Sequence, residues 1–154
     1  MADITAFPDI DVVMENNGPT WTFTAKGAIK HGQVVAFEAT GVAQQVIASV
    51  KESGGYPRGV ALIDAADGAK VTVCLDGSIC RVANADDTTA IDAGDFVECN
   101  DNAVKGTVSA ISLTGSGATC TNHFAVGQAI DIIAGGGTGL IVVSCHEVTQ
   151  PNAS

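Results

Sequence analysis

Residues 27–37 read GAIKHGQVVAF, and residues 89–99 answer with TAIDAGDFVEC. Both carry Ala-Ile, two variable residues, Gly, two variable residues and Val: Ala28, Ile29, Gly32 and Val35 in one, Ala90, Ile91, Gly94 and Val97 in the other. A glycine ahead of a β-branched run serves a turn or bulge that needs positive φ, so each stretch reads as a turn feeding a strand. The echo continues downstream. GVALIDAADGAKVTV (59–73) and GQAIDIIAGGGTGLIVV (127–143) each hold a Gly-led apolar strand, a small-residue turn and a second β-branched strand. The first element recurs after 62 positions and the second after 68, from Gly59 to Gly127. This order predicts an all-β unit of about sixty residues used twice. The pseudo-repeats fall at about 27–82 and 89–148, within a body spanning 20–148. Chance similarity among Ala, Gly and Val is the competing reading.

Upstream, TWTFTAK (20–26) alternates strictly, with Trp21, Phe23 and Ala25 on one face and threonines on the other, as in a half-buried strand. VAQQVIASV (42–50) fits a third strand or a short helix, and TGSGATCTN (114–122) an exposed loop. Residues 1–19, MADITAFPDIDVVMENNGP, keep no period, contain two prolines and end in a turn signal. They read as an extended N-terminal arm. A polar tail, 149–154, closes the chain.

Hydrophobic residues make up 46% but aromatics only 5%, so the core must be built from Val, Ile, Ala and Leu. The formal charge of −10, with 7 basic residues and no two adjacent, argues against nucleic acid and anionic membranes, which need clustered Lys and Arg. The opening lacks a basic start followed by an apolar run, which predicts a soluble, unexported chain. Gln128, Asp131 and three glycines interrupt the most apolar region, so it reads as two strands around a loop and not as a membrane span.

Chemistry finds little support. The cysteines (Cys74, Cys80, Cys99, Cys120, Cys145) form no C-x-x-C pair and are expected to be small buried hydrophobes. Cys145 and His146 are strand neighbours that point to opposite faces, which disfavours a dyad. Cys99 or Cys120 with His31 or His123 has no local signature, and structural histidines are expected. There is no G-x-S-x-G or phosphate loop, and GGGTG (135–139) reads as a hairpin loop. The acidic stretches 64–68 and Asp86, Asp87, Asp92 and Asp95 do not match a calcium loop. No catalytic, cofactor-binding or metal-binding residue is expected.

The arm, the Gly/Ala/Thr/Val-rich body and the paired AIKHGQVV…GVALIDAADGAKVTVCLDG pattern resemble head decoration (cement) proteins of tailed phages and related viruses. The resemblance covers roughly 20–145. It departs from the shortest members in the Gly/Ser/Thr insertion at 109–122 and in its five cysteines. It implies a compact β-barrel or β-tulip body. It further implies a homotrimer on the outer surface of a mature virion, assembled in the host cytoplasm and stapling neighbouring major capsid protein subunits. An arm could add to a capsid strand edge, with Ile4, Phe7, Pro8, Ile10, Val12 and Val13 as the capsid-binding residues and three arms giving avidity. Two rivals from other classes stand beside this reading: a small-molecule or glycan-binding β-barrel, and a Cys-dependent enzyme.

Overall fold

The computed structural model describes residues 3–37, 44–48, 56–100, 104–111 and 122–149. The expected loop at 114–122 apart from Asn122, Cys120 within it, and the tail beyond Thr149 lie outside these residues. Ten strands are described: β1 (Thr20–Ala25), β2 (Val34–Phe37), β3 (Gln45–Ala48), β4 (Pro57–Ala61), β5 (Lys70–Cys74), β6 (Ile79–Ala83), β7 (Phe96–Cys99), β8 (Val108–Ala110), β9 (Asn122–Ala129) and β10 (Thr138–Thr149). The fold is all-β. Strands β1-β3-β2-β4-β5 close into a barrel, and β6-β10-β9-β7-β8 form an open five-stranded sheet. The segment that fitted strand or helix is strand β3, antiparallel to β2 and parallel to β1.

The pairing of β1–β5 recurs in β6–β10. In the barrel, β2 meets β4 at Val34–Val60 and Val35–Gly59, then slips to Ala36–Pro57. In the sheet, β7 meets β9 at Phe96–Gln128 and Val97–Gly127, then slips to Glu98–Ala125. Each partner is displaced by the same 62 or 68 positions that separate the sequence echoes. The bridge Ile29–Ala65 likewise returns as Ile91–Ile133. The recurring glycines meet two separate demands. Gly32 and Gly94 adopt φ of 87° and 94°, where a Cβ is strained. Gly59 and Gly127 sit so close to the carbonyl oxygens of Cys74 and Val142 that any Cβ would collide with them.

Double valines build two cores. Successive strand residues point to opposite faces, so Val35 fills the barrel interior with Phe23, Val46 and Val71. Val34 joins Val60, Val82 and Ile141 in the larger core between barrel and sheet. Trp21 does not share the burial of Phe23 and Ala25: it lies at the start of β1 and is 59% exposed.

The two units differ at one seam. The barrel is closed by the β1–β3 pairs Thr24–Gln45 and Ala25–Val46. Between β6 and β8 the corresponding contact is a single parallel bridge, Asn84–Val108. Most of the β6 edge therefore needs another partner, and the N-terminal segment supplies it. Arg81 N–H donates to Val13 O (2.7 Å), Glu15 N–H to Ile79 O (2.9 Å) and Ile4 N–H to Ala85 O (2.9 Å).

Candidate functional site

The six arm residues fall into two groups. Ile4, Ile10 and Val13 are buried, and Ile10 and Val13 belong to the larger core. They fill the chain's own core rather than standing clear of it. The reason is local: an exposed strand edge on the same chain is available to the arm at far higher effective concentration than any partner. Phe7 and Pro8 are half-buried, and Val12 is 53% exposed.

One histidine fixes the arm over the barrel. His31 Nε2 lies 2.6 Å from Ile10 O, and Nδ1 lies 2.6 Å from Asp64 Oδ1. Both partners are acceptors, so the ring makes both bonds only as a doubly protonated imidazolium. Its pKa is raised, chiefly by the hydrogen bond to Asp64, against a smaller opposing effect of burial. Asp64 is held below the ordinary carboxylate range, first by the His31 backbone N–H (2.9 Å) and then by the ring. Beside this contact Val12, Val13, Met14, Leu62 and Ile63 line a groove of about 450 Å³, with Asp11 at its margin. Ile63 is 44% exposed there.

A second depression lies where β4 faces the extensions of β9 and β10. Tyr56, Arg58, Phe124, His146 and Glu147 line a cavity of about 250 Å³. Arg58 and Cys145 also line a neighbouring recess of about 390 Å³, with Pro19, Leu75 and Asp76. Tyr56 and Phe124 meet edge to face, centroids 4.4 Å apart, and the Arg58 guanidinium stands 5.1 Å above the Phe37 ring.

Among the described residues, the other two histidines each meet an oxygen acceptor. His123 Nδ1 is 2.7 Å from Glu98 Oε2, both buried, and His146 Nδ1 is 2.7 Å from Ser144 O. Cys74, Cys80 and Cys99 are buried. The hydrogen bond between the Cys74 and Cys80 thiols holds the Cys74 pKa down and, together with burial, pushes that of Cys80 up. Burial, reinforced by Asp76, pushes the Cys145 thiol well up. Among the described residues, no three His, Cys, Asp or Glu gather as a metal ligand set.

The family described as phage cement protein matches this sequence over residues 14–145. The chain belongs to the phage cement protein family. It is a structural protein of a phage head, and its place is the virion. The crystal structure of the N base of head fiber gp8.5 in bacteriophage phi29 has a similar fold, with a TM-score of 0.55 at 19% identity. The likeness covers 82% of this chain and 93% of that one. No curated protein matches the sequence. The family match begins at Met14, so it takes in the barrel and sheet but not the buried Ile4, Ile10 and Val13.

Sequence reasoning missed the latch. His31 was expected to be structural without an assigned partner, yet a signal was present: the repeat keeps Ala, Ile, Gly and Val but replaces Lys30-His31 with Asp92-Ala93. The inter-unit cleft left no such trace, because its walls come from segments far apart in the chain.

Proposed function

We propose that this protein binds the outer surface of the mature head as a homotrimer and staples neighbouring major capsid protein subunits. The family match over residues 14–145 carries the reading. With Ile4, Ile10 and Val13 engaged internally, the capsid-facing part of the arm is Val12, flanked by Phe7 and Pro8 and continued by Ile63 across the groove. Docking a preformed face avoids the entropy of ordering a free arm, and three copies on one trimer turn weak contacts into avidity. Co-sedimentation with undecorated mature heads tests the function, and light scattering tests the assembly. Binding that is lost in Val12→Asp and Ile63→Asp, with a threefold monomer mass, supports the proposal. Failure to co-sediment, or a monomeric mass, overturns it.

A further inference from the structure

We propose that the cleft between β4 and the β9–β10 extension binds neutral oligosaccharide, giving this head protein a second, glycan-directed surface. The cleft is absent from the repeated plan and is built by three departures from it. At the slip in β4 the skipped residue is Arg58, which is exposed, whereas at the matching slip in β9 it is Val126, which is buried. Bulges re-aim side chains, and here the same bulge points a core valine inward in one unit and a cation into the cleft in the other. Strand β10 also slips between Val143 and His146. Past that slip, His146–Ala125 and Glu147–Phe124 extend the ladder beyond the point at which β4 and β5 part. This added wall faces Tyr56 and Arg58.

The lining selects the ligand. Tyr56 is 53% exposed and braced by Phe124, which supplies the flat apolar platform that the C–H face of a sugar ring stacks on. Around it stand Arg58, a fork of donors held over Phe37, and the acceptor carboxylates of Glu147 and Asp76, a set suited to neighbouring hydroxyls. His146 Nδ1 lies 2.7 Å from Ser144 O, which leaves Nε2 to meet a ligand hydroxyl. An anionic ligand meets two carboxylates against one guanidinium on a chain of net charge −10, and an apolar ligand would strip water from those charges. A neutral polyhydroxyl satisfies both constraints. The cavity and the recess share Arg58 and Cys145 as lining residues, so a ligand seated on Tyr56 has a second depression beside it. On a phage head such a cleft would meet the glycans of a bacterial surface.

The test uses the full chain on a printed array of neutral bacterial oligosaccharides, with hyaluronan fragments as the anionic control. Hits are then titrated by NMR. A neutral glycan should bind saturably in the micromolar-to-millimolar range, shift Tyr56 and Phe124 resonances, and lose about tenfold or more in affinity in Tyr56→Ala and in Glu147→Gln. Both side chains lie at the surface, so the variants should keep the wild-type circular dichroism and their binding to heads. That retention separates this proposal from the capsid-binding one. No neutral hit, preference for the anionic control, or binding unchanged in both variants overturns it.

Discussion

The carbonyl oxygen of Ile10 and Nε2 of His31 meet at 2.6 Å, and this bond ties the arm to a barrel that is otherwise complete without it. The same ring grips Asp64 at 2.6 Å, so a proton adds to the packing that holds the arm.

Arm docking is therefore expected to weaken as pH rises. The His31 pKa is raised above its ordinary 6.5, so its contribution is full below that value and is lost as pH climbs through the folded-state pKa. Asp64 sets the opposite limit: its pKa is lowered, and its share is present above the ordinary 3.8 and lost as pH falls through the depressed value. Lys30 is the charged neighbour that opposes the His31 shift. NMR titration of His31, with hydrogen exchange of amides 7–13, reads both effects. A His31 pKa at or below 6.5 would count against the latch.

The arm's two faces should separate on mutation. Ile10→Ala removes a core side chain and is expected to cost about 2–5 kcal/mol. Val12→Ala, at an exposed site, should stay within about 0.5 kcal/mol. Urea denaturation of both variants makes the comparison.

Gly59→Ala and Gly127→Ala should each destabilise by about 1–3 kcal/mol, because each methyl would meet the carbonyl oxygen opposite. Similar values in the two units are expected, since the contacts correspond. A neutral result at either position would show that the strands part more easily than their register implies.

The buried Glu98–His123 pair predicts an asymmetry. Glu98→Ala strands an imidazole in the core and is expected to cost about 3–5 kcal/mol. Glu98→Leu combined with His123→Phe should recover much of that loss, because it removes both polar groups together. Thermal melts of the single and double variants read the difference directly.

The four described thiols should be inert while the fold is intact. Cys74, Cys80 and Cys99 are buried and the Cys145 thiol is pushed up, so iodoacetamide near neutral pH should reach these four only as fast as the protein unfolds. Rapid labelling of any one of them would revive a cysteine-dependent activity.

Much of this fold was legible in the sequence, and the reason is steric. Gly32, Gly59, Gly94 and Gly127 stand where a Cβ is strained or would collide, so they leave the same mark in both units. Strand registers follow from those fixed points. The fate of the arm was not legible. Ile4, Ile10 and Val13 are as apolar as any pocket-seeking segment, and their burial depends on an edge of β6 that exists only once the second unit falls short of closing. The cleft was hidden for a similar reason: Tyr56, Arg58 and Glu147 become neighbours only through tertiary packing.

The seat of the arm also sets an order of events during synthesis. Residues 3–15 leave the ribosome well before the strand they lean on, Ile79–Ala83, and that strand's other neighbour, Thr138–Thr149, follows later still. The barrel of β1–β5 can close as soon as its own residues are out, while residues 3–15 wait for β6. Residues made before either unit are thus among the last to find their place: Ile4, Ile10 and Val13 wait for the second unit before they can be buried.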